Sequence, residues 1–202
     1  MSAQISTPVR LFKSDFFEWF SKVHPTTPFV LYVPVIIAAI SLALTKGHQS
    51  VVSLLGMFLC GIIIWTVSEY LLHRFVFHYV ARSRWGKRME YIIHGVHHDD
   101  PHDPLRLVMP PAISICFALF AYGVGFALFG YDSLGFISGW TLGYLYYDFT
   151  HYVIHRRHGF RGFGFQRRNH LIHHFKDPTR CYGVTSSFWD HVFGTQNKSL
   201  PG

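Results

Sequence analysis

Ten of the fifteen histidines in this 202-residue chain fall into four short clusters whose spacing suits metal ligation. His73 and His78 are five apart, His94, His97 and His98 form an HxxHH, His151 and His155 are four apart, and His170, His173 and His174 form a second HxxHH. Residues three and four apart share a helix face. His94, His97 and His98 are therefore expected to point into one site, as are His170, His173 and His174, and likewise His151 with His155. Five positions turn a helix about 140° past a full circle, so either His73 and His78 bracket two metals or the helix loosens between them. A single HxxxH is usually chance. Four clusters together are hard to explain without a metal, because neutral imidazoles are costly to concentrate unless something shares their lone pairs.

Imidazole suits zinc, copper, iron and nickel alike. Structural zinc closes with four ligands, often thiolates. Ten histidines exceed two such sites, which points to five- or six-coordinate ions with room for dioxygen, and so to iron. Carboxylates or carbonyls near the clusters should orient the rings by accepting the second ring N–H. Asp148 and Asp190 are expected in that role, with Glu90 also nearby in sequence. Glu69, four residues before His73 in an apolar stretch, is a functional candidate because ionisable groups inside a membrane rarely lack a task. Cys60, Cys116 and Cys181 share no metal-type spacing and imply no disulfide framework.

The elements that must position these rings are membrane helices. Half of the residues are hydrophobic and 14% are charged, against roughly 25% charged in soluble chains, and the apolar residues come in blocks. The length is one domain's worth, 1–202. Four stretches are predicted to span a bilayer: Pro28 to Thr45 with Pro34 kinking it, Val51 to Leu72, Ala112 to Phe129 after Pro110-Pro111, and the short, glycine-rich Leu134 to Phe149. Gly135, Ser138, Gly139 and Gly143 predict close packing of the last against a neighbour. Leu11, Phe12, Phe16, Trp19, Phe20 and Val23 recur at near-helical spacing, so residues 10–23 read as a helix in the membrane interface, with Ser14 as its cap. No cleavable signal sequence precedes it.

Seventeen of the eighteen lysines and arginines lie outside the two short loops after the first and third stretches. The positive-inside rule then places both termini in the cytosol, with two transmembrane hairpins and a cytosolic helical cap of residues 72–110 and 150–202. All ten clustered histidines belong to the cytosolic side. The net charge of +7 accompanies no basic surface interleaved with aromatics, so nucleic acid is not the expected partner. A metal transporter would want ligands strung along a path across the membrane. A purely structural protein would leave the histidines without a role.

The order HX4H, HX2HH, HX3H, HX2HH around two hairpins resembles the fatty acid hydroxylase superfamily, and within it the fatty acid 2-hydroxylases that act on sphingolipid acyl chains. Glu69-Tyr-Leu-Leu-His-Arg-Phe-Val-Phe-His78, Leu105-Arg-Leu-Val-Met-Pro-Pro111, Tyr147-Asp-Phe-Thr-His-Tyr152 and Thr185-Ser-Ser-Phe-Trp-Asp-His-Val-Phe-Gly-Thr195 carry the likeness, which runs from about Ser14 to Thr195. The resemblance implies a di-iron monooxygenase that uses O2 and two electrons to hydroxylate the carbon beside the acyl carbonyl. All ten histidines would be its ligands, and zinc could occupy the site in purified protein. Tyr144, Tyr147 and Asp148 would line or brace the substrate site. Sterol methyl oxidases, carotenoid hydroxylases and desaturases are the alternative activities of related histidine-motif scaffolds.

His102 and His191 stand where the family pattern is not histidine, and they read as ordinary residues, as do His24, His48 and His158. Many relatives carry an N-terminal cytochrome b5 domain. None precedes the first stretch here, so the donor is expected to be a separate protein such as cytochrome b5 with its reductase. Arg82, Arg84, Lys87, Arg88, Arg156, Arg157, Arg161, Arg167 and Arg168 would dock it, although membrane topology and anionic headgroups account for the same charges equally well. The expected location is a multi-pass membrane with the active site on its cytosolic face. That membrane is the endoplasmic reticulum in a eukaryote and the inner membrane in a bacterium.

Overall fold

A computed structural model describes residues 9–47, 49–156 and 161–197. His48, His158, Arg157 and the side chain of Arg161 lie outside the described residues. Among those described, the chain is helical and contains no strand: α1 Asp15–Phe20, α2 Thr27–Thr45, α3 Val51–Leu71, α4 Arg84–Glu90, α5 Val96–Asp99, α6 Pro111–Phe129, α7 Ser133–Arg156, α8 Gly164–Phe175 and α9 Phe188–Val192.

Three runs are long and apolar enough to cross a membrane: Thr27–Thr45, Val51–Phe77 and Pro111–Arg156. The third spans 46 residues and breaks at Gly130, whose φ of 57° only glycine adopts readily, so α6 and α7 are separate helices. Large apolar side chains cover the outside of α2, α3 and α6, with Val52 81% exposed, a surface that water would not tolerate at this extent. This is a membrane protein.

Helix α7 is the centre of the fold and is buried along most of its length. Its small residues make room for α3. A Cβ on Gly139 would lie 1.9 Å from the Phe58 carbonyl oxygen, and one on Gly143 would lie 2.5 Å from the Trp65 ring. On the other partner, a Cβ on Gly61 would lie 2.0 Å from the Phe136 carbonyl oxygen. Gly135, Gly139 and Gly143 therefore form the packing stripe expected from the sequence. Ser138 departs from it and bonds back to the Leu134 carbonyl at 2.7 Å. Trp65 meets Trp140 and Tyr144 edge-on, at 4.8 and 5.5 Å between ring centroids, beside Tyr32 of α2.

The N-terminal helix is shorter than the 10–23 expected. Ser14 occupies its cap position but gives no side-chain hydrogen bond. The segment is held instead by Glu18, which is buried. Its Oε2 accepts the Leu11 and Phe12 amides, each at 2.9 Å.

Candidate metal centre

The helix loosens at His73 and His78. Leu72–Phe77 forms a π turn, and the His78 amide donates to the His73 carbonyl at 3.2 Å. This i→i+5 register brings both rings to one side, and the alternative in which they bracket two metals does not hold. A second π turn, Tyr91–Gly95, precedes α5 and sets His94. Each HxxHH is then divided, contrary to the expectation of one site apiece. His73, His78, His94, His98 and His173 form one group, and His97, His151, His155, His170 and His174 form the other. Within each group the ligand atoms lie within 4.8 Å of one another. The pair four apart in each HxxHH stays together, and the middle histidine crosses over. Central His97 joins the group built on α7, and His173 joins the group built on α3.

The rings point at one another in a way that protons alone cannot satisfy. The His94 Nε2 faces His73 Nε2 at 3.2 Å and His98 Nε2 at 3.1 Å. The His170 Nε2 faces His155 at 2.9 Å and His174 at 3.0 Å. His73 gives its Nδ1 proton to the Tyr182 carbonyl at 2.6 Å, His173 to Arg180 at 2.7 Å, and His151 to Leu107 at 2.7 Å. Their Nε2 lone pairs therefore face inward. His97 is buried with neither ring nitrogen partnered. Lone pairs converging from five directions fit a cation, and nitrogen donors about 2.1 Å from a metal lie at these mutual spacings. The two groups can each hold a metal ion.

Burial keeps the rings neutral. It lowers His78 and His98 from the ordinary 6.5 to about 4, with repulsion from His98 adding to the effect at His78. His173 falls to about 3, through burial and then His78 and His98. His94, His97 and His170 are likewise held well below the ordinary value, by burial and then by neighbouring histidines. Because these values are depressed on folding, the stability they confer is complete above the ordinary value of 6.5 and is lost as the pH falls toward 4. Metal competes with protons for the same lone pairs. Bound metal and the melting temperature are both expected to hold steady from pH 8 to 7 and to drop between pH 6.5 and 4.5. Metal analysis after gel filtration and thermal melts at each pH would check this.

Of the two kinds of acceptor expected for the rings, main-chain carbonyls take the role at His73, His151 and His173, and neither Asp148 nor Asp190 does. Asp190 accepts the Tyr182 and Gly183 amides, each at 2.9 Å, and the Thr195 hydroxyl at 2.7 Å. Glu69 accepts the Val184 amide at 2.7 Å, the Thr185 amide at 2.9 Å and the Thr185 hydroxyl at 2.5 Å. Both carboxylates hold the 180–185 loop, whose Cys181 takes a left-handed φ of 58°. That loop presents the Arg180 and Tyr182 carbonyls to the two rings of the first group. The carboxylates act on the rings at one remove. No hydrogen bond joins Glu90 to a ring among the described residues. A carbonyl acceptor leaves no side-chain signature, so sequence reasoning had no means of finding Leu107, Arg180 or Tyr182.

Tyr147 and Asp148 line a cavity of about 350 Å³ together with His94, His97 and His151. Its walls are otherwise almost wholly apolar. Tyr147 stacks on the His151 ring at 5.7 Å between centroids. The buried Asp148 carboxylate lies near the Tyr144 hydroxyl and the Met109 amide without a hydrogen bond of normal geometry to either. Tyr144 is set apart from the cavity, beside Tyr32 and Ser114. His24, His102 and His191 are exposed and take no part in either group.

The fatty acid hydroxylase family model matches residues 58–195. The chain is 39% identical over 196 residues to the dihydroceramide fatty acyl 2-hydroxylase FAH1 of Arabidopsis thaliana, covering 92% of this chain and 79% of that one. It is 42% identical over 144 residues to the ceramide very long chain fatty acid hydroxylase scs7 of Schizosaccharomyces pombe, covering 69% of this chain and 42% of that one. The solved structure of full-length scs7p, in which only the hydroxylase domain is visible, superposes with a TM-score of 0.86 at 32% identity, covering 93% of this chain and 72% of that one. An all-helical membrane protein with two five-histidine groups thus matches that family in both sequence and fold, and the chain belongs to the fatty acid hydroxylase family.

Proposed function

We propose that this enzyme hydroxylates C2 of a fatty acyl chain carried by a ceramide-type lipid, using O2 and two electrons from a separate donor such as cytochrome b5. The observation that carries the reading is the pair of all-imidazole groups opening onto an apolar cavity. Ten nitrogen donors, more than two closed zinc sites need, favour iron, with His73, His78, His94, His98 and His173 on one ion and the other five on its neighbour. Bound there, the iron pair supplies the activation of dioxygen.

The chain's own residues do the rest. The apolar walls bind the hydrocarbon and exclude water from the reacting carbon. The carbonyls of Leu107, Arg180 and Tyr182 fix the tautomers of His151, His173 and His73. Tyr147, stacked on His151, and Asp148 face the lipid's polar end, and Tyr144 braces Asp148 from behind.

Four crossings in two hairpins account for the alternation of α2, α3, α6 and α7 and for the one-sided charge. Residues 72–110 and 150–202 then form a cap on the cytosolic face, in the endoplasmic reticulum of a eukaryote or the inner membrane of a bacterium. A lipid held at the interface would bring the carbon beside its carbonyl to the metals by depth alone. The basic cap residues Arg82, Arg84, Lys87, Arg167 and Arg168 suit an acidic donor. Mass spectrometry of sphingolipid acyl chains from host cells with and without the chain tests the activity. We expect 2-hydroxy species only with it. A new double bond, or a hydroxyl on another carbon, would replace this reading with that of a related lipid oxidase.

A further inference from the structure

The N-terminal segment is joined to the cavity by one buried guanidinium. Arg106, whose side chain is 2% exposed, donates to Glu18 Oε1 at 2.7 Å, to the Val9 carbonyl at 2.9 Å and to Asp103 at 3.2 Å. The Val23 amide donates to the Leu105 carbonyl at 2.8 Å, and Arg88 reaches the Leu11 carbonyl. Both ends of the segment are thus tied to residues 105 and 106, next to Leu107, which orients His151.

The same segment lines the cavity. Leu11, Phe12, Phe17 and Phe20 border the same cavity as His94, His97 and His151. Leu11 is buried, Phe17 and Phe20 are more than half exposed, and Phe16 and Trp19 are more exposed still. The outer aromatics suit a bilayer interface. The cavity's mouth therefore lies where the protein meets lipid. A hydrocarbon chain leaving the histidines for the bilayer would pass beneath these rings.

We propose that residues 9–23 are a strap that grips the acyl chain, with Phe17 and Phe20 as its contacts and the Glu18–Arg106 pair as the positioning lock. This rests on the lipid-hydroxylase reading of the site. It assigns binding to a segment that the family model's match does not include. The buried pair fixes a segment that has only the short helix α1 to stiffen it. Without the pair, the segment keeps its ties at Val9, Leu11 and Val23, but the two aromatics between them lose the contact that sets their height above the cavity.

The test uses the full-length protein in nanodiscs with a ceramide bearing a diazirine on its N-acyl chain. Photolysis is expected to label residues 11–21, whether or not the lipid turns over, so loss of the hydroxylase reading and loss of this one are distinguishable. Phe17→Ala and Phe20→Ala are expected to raise KM by roughly 3- to 10-fold, with kcat within about twofold and bound metal unchanged. Glu18→Ala should raise KM at least as far. Should that variant not fold, the two phenylalanine variants decide. Unchanged KM in both, or labelling confined to the groove between α2 and α6 that Leu42 and Leu119 line, would overturn the proposal.

Discussion

Replacing His97 by alanine is expected to abolish 2-hydroxylation and to lower bound metal from two ions per chain toward one. His97 is the single ring that the first HxxHH lends to the α7 group, and its centroid lies 4.6, 4.7 and 4.6 Å from those of His151, His155 and His174. Its loss leaves that group with four donors and a space beside the cavity. Removing even an outer partner of a metal ligand costs about 10- to 100-fold in affinity or activity, so removing a ligand should exceed 100-fold. The α3 group keeps all five of its rings, and the other ion should stay. His94→Ala should strip the opposite group. Metal analysis of both variants, with product measured in the same preparations, separates the crossed assignment from the plainer one in which each HxxHH serves one site. Under the plainer assignment, His94→Ala and His97→Ala would empty the same group.

Asp190→Asn is expected to damage the centre without touching a ring. One oxygen of Asp190 takes the Tyr182 amide and the Thr195 hydroxyl, and the other takes the Gly183 amide. An asparagine must aim an NH2 at one of these donors. A buried donor left without an acceptor costs roughly 1–3 kcal/mol, and the displaced Tyr182 carbonyl then lets the His73 ring turn. Metal affinity of the α3 group should fall about 10- to 100-fold, with activity falling alongside, while the α7 group, oriented through Leu107, is spared. Thermal melts and metal titration of the variant would show the pairing of the two losses. Full metal affinity with only reduced stability would mean that the loop braces the fold and leaves the rings alone.

Much of this was legible in the sequence because side-chain type carried it. The four histidine clusters mark themselves, and the apolar blocks place α2, α3 and α6 within about a residue of their observed ends. Gly135, Gly139 and Gly143 announce a close helix contact, although nothing in them names α3 as the partner. The register of His73 and His78 was ambiguous because an α-helix and a π turn share the same residue preferences. Bond pattern, set by what the rings must reach, decided it. The division of each HxxHH was hidden for a related reason. Faces of a single helix were counted, whereas the two groups lie side by side and can share a face between them. Asp190 was correctly singled out for proximity to chemistry and assigned the wrong contact, since its acceptors are engaged by amides seven and eight residues before it. Glu18 gave no hint of its partner, because Arg106 lies 88 residues away.

The exchange of His97 and His173 has a consequence for how the protein is made. Neither nest of rings can be completed by the half of the chain that begins it. A ribosome that has released everything through α7 has produced seven of the ten imidazoles and no finished cradle. Synthesis must reach residue 173 to complete the first nest and residue 174 to complete the second. An emerging chain thus carries no complete metal cradle until α8 has been made, although every residue lining the cavity, the last of them His151, has by then been released.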